Sequence, residues 1–365
     1  TVQMEETAEQ VDEEVQESAE QDDLGAESTS EEESPVEDAV EAGEETAQED
    51  TALSQDTTEA AEEELSTAEE SVAETQEITS TTILEYEAED YTLKYQIREV
   101  NGKKEAIIRG YGDKYSGRDV VIPDSVSASD TYSNYLDYQN IPVTAIMQNA
   151  FADNCPTSIY IPACVESIGV NAFAGGSKQK VYTLKSVTIE DGSKLTEIGK
   201  WAFQNQAALA GEFTIPKGVT TIGEGAFFNC EKLTKITFNG GGTIEKQAFS
   251  GCTGVEGDLV LPTNVTSVGD EAFMKYGSSK DPSQLVLPSG LVSIGEKAFS
   301  TTKFTGDLKI PSTVETIGKN AFQSAYTTDK KEDGNVSTLT FEDGSVLTSI
   351  GDYAFSQCIS LTGDI

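Results

Sequence analysis

The side chains that carry out most enzyme chemistry are scarce in this sequence. The chain has no histidine, which excludes histidine-based catalytic triads, imidazole metal ligands and histidine pH sensors. Its five cysteines have no zinc-site spacing, and their odd number does not indicate a disulfide framework. A catalytic cysteine normally needs a base to activate it, and no imidazole is present to act as one. We therefore expect free thiols without a catalytic role.

Four of the cysteines occupy nearly the same place in a repeated phrase. Cys230, Cys252 and Cys358 follow a motif phenylalanine by three residues, and Cys155 follows one by four. A recurring position of this kind favours a small, buried, apolar side chain. Cys164 lies in a turn instead and is expected nearer the surface. A disulfide remains open only between adjacent coils.

Two acidic turns are the nearest approach to a metal site. Residues 190–193 and 342–345 both read Glu-Asp-Gly-Ser, which invites comparison with a calcium loop. Asp-Gly is also a common way to reverse the backbone, and no graded series of oxygen ligands follows either turn. No carboxylate pair has a glycosidase context, and no glycine loop of the phosphate-binding type precedes a helix. We predict no catalytic, cofactor-binding or metal-binding residue.

The phrase Ile-Gly-x-x-Ala-Phe, intact or with one change, organises most of the chain. Self-similarity with a period of about 23 residues predicts a solenoid, in which each repeat buries its apolar face against its neighbours. Such a fold offers an extended surface for binding. The nine copies end at Phe151, Phe173, Phe203, Phe227, Phe249, Phe273, Phe299, Phe322 and Phe355.

Each repeat has an apolar-x-apolar triplet, usually followed by proline, before the closing phrase. The alternation predicts a short strand with its outer residues buried, and proline ends that strand. The Ile and Ala of the closing phrase are four residues apart, which predicts one face of a helical turn. Glycine after the Ile suggests close backbone approach between coils. The phenylalanines are expected to stack as a continuous spine.

Charge divides the chain at about residue 82. Residues 1–82 contain 30 acidic residues and no Lys, Arg or aromatic residue, whereas the remainder has 35 acidic and 24 basic residues and a net charge of −11. We predict that residues 1–82 form a disordered acidic spacer. An arm that collects Ca²⁺ or cationic partners is the alternative. Neither part has the concentrated basic face that nucleic-acid binding requires.

The combination strand-Pro-x-x-Val-x-x-Ile-Gly-x-x-Ala-Phe, with a nearby Cys, resembles the BspA-like leucine-rich repeats. The resemblance covers residues 119–365 and implies a leucine-rich-repeat solenoid, mainly β with short helical turns and a parallel sheet. Residues 83–118 are expected to form a small β-rich N-terminal cap. The resemblance also implies a secreted or surface-attached bacterial protein. Some members of the family are described as adhesins that bind host matrix proteins.

The side chains that alternate outward on the triplet strands form the first candidate binding face, which we call the triplet face. Its β-branched residues are also simply suited to strands. We expect eight triplet strands to lie side by side in one sheet. The candidate residues are Tyr160, Thr188, Glu212, Thr214, Lys235, Thr237, Asp258, Val260, Val286, Asp307, Lys309 and Thr340.

Two insertions in the regular repeat form the second candidate. Residues 175–184 and 325–337 are long, polar and locally basic, and inserted loops on a regular scaffold often carry function. Solvated lysines on a tolerated insertion are the alternative. The candidate loop contacts are Lys178, Lys180, Tyr182, Tyr326, Lys330 and Lys331.

The repeat pattern predicts a binding surface, and the family resemblance implies a non-enzymatic recognition or adhesion protein. We therefore expect an extracellular, monomeric protein that binds a protein or glycoprotein such as host matrix or mucin. A structural stalk is the first alternative, and an accessory module of an enzyme is the second. No apolar run is long enough to insert into a membrane. The final residues, 361–365, repeat the entry to a triplet strand, so we expect the sequence to be truncated at its C-terminal end.

Overall fold

The computed structural model describes most of the chain after residue 82. The predictions of a disordered acidic spacer and of its alternative, a cation-collecting arm, concern residues 1–82 and lie outside the described part. The described ranges are 83–112, 119–127, 139–152, 155–175, 184–278, 283–327 and 337–362.

A small antiparallel unit begins the described chain and confirms the predicted β cap. The hairpin between its second and third strands turns at Asn101 and Gly102, whose φ angles of 51° and 74° suit the tight turn that joins twisted strands. Its third strand then pairs in parallel with the sixth, so the cap continues directly into the repeats. The first six strands are β1 (Leu84–Glu87), β2 (Thr92–Val100), β3 (Lys103–Tyr111), β4 (Asp119–Val121), β5 (Ser125–Val126) and β6 (Ile141–Ile146).

From residue 158 onward each coil contributes two short strands, which confirms the solenoid of the leucine-rich-repeat type. The odd-numbered strands are the triplets, and the even-numbered strands end at the Ile or Val of the closing phrase, which glycine follows in every case except β14. In chain order they are β7 (Ser158–Ile161), β8 (Ser167–Ile168), β9 (Ser186–Ile189), β10 (Glu197–Ile198), β11 (Gly211–Ile215), β12 (Thr221–Ile222), β13 (Leu233–Phe238), β14 (Thr243–Ile244), β15 (Leu259–Val260), β16 (Ser267–Val268), β17 (Leu285–Val286), β18 (Ser293–Ile294), β19 (Leu308–Ile310), β20 (Thr316–Ile317), β21 (Ser337–Phe341), β22 (Ser349–Ile350) and β23 (Leu361–Thr362).

The continuous sheet of the solenoid is made by the even-numbered strands and not by the triplets. It has 13 strands in the order β1-β2-β3-β6-β8-β10-β12-β14-β16-β18-β20-β22, with β5 beside β6, and we call it the main sheet. The expectation of one sheet of triplet strands is therefore wrong. The triplets form four separate sheets, β4-β7-β9, β11-β13, β15-β17 and β19-β21-β23.

Left-handed glycines explain where the triplet ladder breaks. Gly211, Gly257 and Gly306 lie at or just before the starts of β11, β15 and β19, and their φ angles are 82°, 79° and 76°. Such a backbone turns the chain out of the extended conformation that a ladder needs, and glycine adopts it without a side-chain clash. The three breaks fall before these same three strands.

The predicted phenylalanine spine is confirmed. Consecutive rings from Phe151 to Phe355 stack with centroids 5.1–5.4 Å apart and planes within 4–16° of parallel. Spacings of this size suit offset stacking, and burial of each ring adds hydrophobic stabilisation. The spine thus connects neighbouring coils through the centre of the core.

Close approach at the motif glycines is also confirmed. A Cβ added to Gly295 would lie 2.5 Å from the backbone nitrogen of Asp270 in the preceding coil, and one added to Gly223 would lie 2.6 Å from that of Lys200. These distances are too short for any side chain. Glycine at this place therefore lets the backbones of the main sheet pack directly on one another.

The short helical turns are replaced by β-turns, since the described residues contain no helix. In the phrase ending at Phe173, the Ala172 backbone N–H donates to the Gly169 carbonyl at 3.2 Å, which closes a four-residue turn. The residue two before the phenylalanine has a left-handed backbone in all nine copies, which interrupts any right-handed helix. These residues are Asn149, Asn171, Trp201, Gly225, Gln247, Glu271, Lys297, Asn320 and Tyr353, with φ of 53–60°.

Candidate functional site

The structure places the triplet face on the outer side of the triplet strands. The strand β19, for example, buries Leu308 and Ile310 and exposes Lys309 between them. The candidates lie in register in pairs across neighbouring strands, but the breaks described above divide the face into four parts. The pairs are Tyr160 with Thr188, Glu212 with Lys235, Thr214 with Thr237, Val260 with Val286, and Lys309 with Thr340.

The charged candidates on β11 and β13 interact with each other. The Glu212 carboxylate lies 3.1 Å from the Lys235 ammonium and accepts a hydrogen bond of 2.7 Å from the Thr237 hydroxyl. The Thr237 hydroxyl and then Lys235 hold the pKa of Glu212 below its usual value. Three of the four candidates on these two strands therefore belong to one surface cluster.

The aspartates of the triplet face secure the strand that follows. Asp258 accepts a hydrogen bond of 2.8 Å from the Gln284 backbone N–H, and Asp307 accepts one of 2.8 Å from that of Thr338. Asp307 also accepts from the Thr338 hydroxyl, and these two bonds lower its pKa. Each carboxylate thus satisfies a backbone donor of the next coil, which is a structural use.

The acidic turns have the structural role that the sequence indicated. Glu190 accepts a hydrogen bond of 2.8 Å from the Ala163 backbone N–H, and Glu342 accepts one of 3.1 Å from that of Ser312. Glu342 also pairs with Lys309 at 2.8 Å, and Lys309 followed by Ser312 lowers the pKa of Glu342. Both glutamates therefore tie one coil to the preceding turn.

The least engaged part of the triplet face is apolar. Val260 and Val286 lie side by side on β15 and β17 and remain 51% and 45% exposed. Tyr160 and Thr188 form a comparable pair on β7 and β9. Partial desolvation and the neighbouring Glu190 raise the pKa of Tyr160, so its phenol stays neutral. The exposed side chains of Val260 and Val286 are available to a partner, and Tyr160 is partly exposed beside the exposed Thr188.

One loop candidate is wrong, and the others cannot be placed. Tyr326 is fully buried, because its ring packs beside Phe304 with centroids 5.9 Å apart and so belongs to the core. A ligand at the surface does not reach it. The remaining loop candidates, Lys178, Lys180, Tyr182, Lys330 and Lys331, lie outside the described residues.

A groove on the main sheet was missed by the sequence analysis. It has a volume of about 490 Å³ and crosses the strands β14, β16, β18 and β20. Hydroxyl side chains line one side. Each belongs to the Ser or Thr that precedes the buried Ile or Val of its strand. These are Thr243, Ser267, Ser293 and Thr316, which are in register across the four strands. A recurring Ser or Thr before Ile-Gly was the sequence signal for this row.

Acidic side chains and one lysine line the other side of the groove. Glu245 accepts a hydrogen bond of 2.9 Å from the Glu224 backbone N–H, and Asp270 accepts one of 2.7 Å from that of Glu296. Lys246, the residue after Glu245, also lines this side and is exposed. Gly269 and Gly295 are also in the lining, where they leave the floor without side chains.

The only tryptophan of the chain adjoins this groove. The Lys200 ammonium lies 4.2 Å from the centre of the Trp201 ring and 2.9 Å from the carboxylate of Glu224, which lines the groove. Lys200 therefore connects the indole to one end of the acidic side. Trp201 is half-buried, and its ring lies over Gly225 of the next coil.

The predicted burial of the recurring cysteines is confirmed. All five thiols are free, four are buried, and Cys164 is partly exposed. The thiol of Cys230 donates to the Phe203 carbonyl at 3.1 Å, and that of Cys252 donates to the Phe227 carbonyl at 3.2 Å. Burial raises the pKa of Cys230 to about 12. A thiol that stays protonated is a poor nucleophile, so these cysteines act as core side chains.

Two further properties limit the chemistry of the described ranges. They contain no helix with the length and apolar character needed to cross a membrane. Nor do the residues placed there bring three or more acidic or cysteine side chains together as metal ligands.

Comparison with known proteins identifies the repeats. Residues 144–280 and 330–363 match the family model for the BspA type leucine rich repeat region, in six copies. No curated protein sequence matches the chain.

Similar solved structures include a pneumococcal vaccine antigen and two bacterial proteins described as leucine-rich repeat proteins. The pneumococcal vaccine antigen PcpA is 22% identical, with 77% of this chain and 69% of that chain covered and a TM-score of 0.49. A Bacteroides ovatus leucine-rich repeat protein is 21% identical, with 76% and 81% covered and a TM-score of 0.40. The T. pallidum leucine-rich repeat protein is 20% identical, with 76% and 91% covered and a TM-score of 0.37.

Proposed function

We propose that this chain, whose repeats match the BspA type leucine rich repeat region, is a non-enzymatic recognition protein of the bacterial cell surface. Its partner is a protein or glycoprotein, and contact is made through the triplet face. The family supports a repeat-based role in protein interaction. Adhesion to a host or environmental macromolecule is the specific form of that role which we propose.

The exposed pairs of the triplet face carry this proposal. Val260 and Val286 present adjacent apolar side chains, and the partly exposed Tyr160 with the exposed Thr188 forms an aromatic and hydroxyl pair on another part of the face. Apolar and aromatic side chains within a polar surround are typical of protein contact sites. Because the coils repeat, one partner can engage several parts of the face at once.

A structural stalk is the second candidate, and the hydrogen bonds of the acids favour it. Asp258 and Asp307 are both bonded to backbone N–H groups of the following coil. Glu212 is bonded within the face itself, to Thr237. A surface whose polar groups mainly join coils suits a protein that holds other parts away from the cell. Such a stalk needs no ligand.

Binding to immobilised macromolecules separates the two candidates. The full chain is passed over an array of matrix proteins, mucins and glycans. We expect saturable binding to one class of protein or glycoprotein, and we expect Thr214→Arg and Thr237→Arg to weaken it by at least about tenfold, because each places a long charged side chain in the contact surface. The control is Thr253→Arg, an exposed threonine in a turn and not on a triplet strand.

The readout must separate lost contact from lost structure. Thermal unfolding of all three variants should match that of the unchanged chain, because each threonine is exposed or partly exposed. Saturable binding that both triplet-face variants leave intact contradicts the proposed face. Absence of saturable binding to every member of the array favours the stalk.

A further inference from the structure

We propose that the groove on the main sheet binds an uncharged saccharide chain. The site is distinct from the triplet face and stands independently of the function proposed for that face. Its lining brings together three features: hydrogen-bonding groups that this chain does not use, an absence of apolar anchor side chains, and an adjacent tryptophan.

Unused hydrogen-bonding groups are concentrated in the groove. The hydroxyls of Thr243 and Thr316 have no hydrogen-bond partner among the described residues, and neither do the backbone N–H groups of Lys246 and Asp270. The carboxylates of Glu245 and Asp270 each accept a single hydrogen bond in the same part of the chain. An ionised carboxylate has about four acceptor positions, so most of its capacity remains available.

This mixture of donors and acceptors suits the hydroxyl groups of a sugar. A sugar hydroxyl both donates and accepts, so it can bond to a carboxylate on one side and to an N–H or hydroxyl on the other. The four hydroxyl side chains are spaced by successive strands of one sheet, about 4.8 Å apart. The groove therefore offers a repeated set of polar contacts to a repeating polymer.

The groove is less suited to a polypeptide. Tight protein contacts depend on apolar or aromatic anchors that enter pockets. The apolar residues of the lining, Ile244, Val268 and Ile294, are at most 1% exposed because their side chains point into the core. The exposed lining therefore has no large apolar side chain, and it offers no pocket for an anchor.

Trp201 supplies the apolar surface that a sugar ring needs. Lys200 connects its indole to Glu224 at one end of the groove. A partly exposed indole is a rigid, flat surface of high contact area. Because Lys200 lies over the ring and the ring lies over Gly225, we assign to the exposed part of the Trp201 indole a contact with the C–H groups of one sugar unit at this end of the groove.

Charge selects against acidic saccharides. Within the described residues, Glu245 and Asp270 have no ion-pair partner, whereas Glu212 and Glu342 elsewhere on the solenoid pair with Lys235 and Lys309. The lining as a whole has three carboxylates, of Glu224, Glu245 and Asp270, and one ammonium, of Lys246, and this excess of negative charge repels a sulfate or a uronate. The groove is thus expected to prefer uncharged chains.

The test follows the fluorescence of Trp201. This residue lies beside the groove and is the chain's only tryptophan, so the signal comes from that region alone. The full chain is titrated with cellohexaose, chitohexaose and yeast mannan, and separately with heparin and polygalacturonate. We expect a saturable change with at least one uncharged probe and none with the two acidic polymers. Absence of a saturable change with all three uncharged probes overturns the proposal, as does stronger binding of an acidic polymer.

Two variants of Thr243 test whether the fluorescence change arises from binding in the groove. Thr243→Arg fills the groove and is expected to weaken binding by at least about tenfold. Thr243→Val keeps the β-branched shape and removes one hydroxyl, for an expected loss of about fivefold. The control Thr253→Arg, outside the groove, should bind normally. Equal affinity of all the variants overturns the assignment to the groove, and this outcome is read separately from the protein array used for the triplet face.

Discussion

The triplet face and the main sheet belong to the same coils, yet only one of them is a continuous sheet. The main sheet joins every coil because glycines such as Gly223 and Gly295 let adjacent backbones approach closely. The triplet sheets end where glycines at or just before the strands, including Gly257 and Gly306, have left-handed backbones. Glycine therefore has opposite effects on the two faces, depending on its conformation.

The two faces also differ in how far their polar side chains are hydrogen-bonded to neighbouring coils. On the triplet face, Asp258 and Asp307 satisfy backbone donors of the next coil. In the groove, the hydroxyls of Thr243 and Thr316 have no such partner among the described residues. The carboxylates of Glu245 and Asp270 each use one hydrogen bond to join coils, as the triplet-face aspartates do, so the free hydroxyls are what distinguish the groove.

The largest expected effect comes from the spine, which the two faces share. Phe249 is fully buried and stacks on Phe227 and Phe273, so Phe249→Ala should cost about 3–5 kcal/mol of unfolding free energy. Denaturant unfolding is followed by circular dichroism and by Trp201 fluorescence. If the faces form one cooperative unit, both signals shift together. A shift in only one of them means that the coils unfold in separate parts.

The next prediction compares the same glycine-to-alanine substitution on the two faces. Gly295→Ala forces a Cβ to within 2.5 Å of the Asp270 backbone nitrogen, and we expect a loss of about 2–3 kcal/mol in unfolding free energy. Gly257→Ala meets no atom within 4 Å and strains only a φ of 79°, so about 1 kcal/mol is expected. Chemical denaturation of both variants measures the difference. Equal losses contradict the account of close packing in the main sheet.

Much of the fold was predictable because its signals recur in every coil. The period of the Ile-Gly-x-x-Ala-Phe phrase predicted the solenoid and the stacked spine, and seven motif glycines predicted the close backbone approach. The triplet alternation correctly placed side chains such as Lys309 outside and Leu308 inside. Each of these signals depends on local chemistry that repetition makes unambiguous.

The errors arose where the repeat constrains the backbone but not the residue type. Left-handed positions are occupied by Trp201, Glu271 and Lys297, which give no sequence sign of that conformation, so a helical turn was expected where a β-turn forms. The main-sheet strands in the repeats are two residues long, too short for an alternating pattern. Tyr326 was assigned to a loop by sequence spacing, whereas ring packing places it in the core.

The third prediction tests the structural use of the triplet-face acids. Hydrogen bonds from Thr338 lower the pKa of Asp307 in the folded protein. A lowered pKa means that the charged form adds stability, which is complete above the unfolded pKa of about 4 and is lost as the pH falls through the folded value. The stability difference between the unchanged chain and Asp307→Asn should therefore narrow on acidification. A difference that stays constant between neutral and acid pH contradicts this role.

The smallest expected effect concerns the exposed ion pair of the triplet face. The Glu212 and Lys235 side chains are 48% and 60% exposed and 3.1 Å apart. Water and salt screen such a pair, and holding two long side chains together costs entropy. A double-mutant cycle with Glu212→Gln and Lys235→Met should give a coupling energy indistinguishable from zero at physiological salt. The Thr237 hydroxyl, which is the larger cause of the lowered Glu212 pKa, should keep that pKa low after Lys235 is replaced. A marked rise in the Glu212 pKa in Lys235→Met would instead assign the cluster to the ion pair, and this part of the triplet face would then depend on salt.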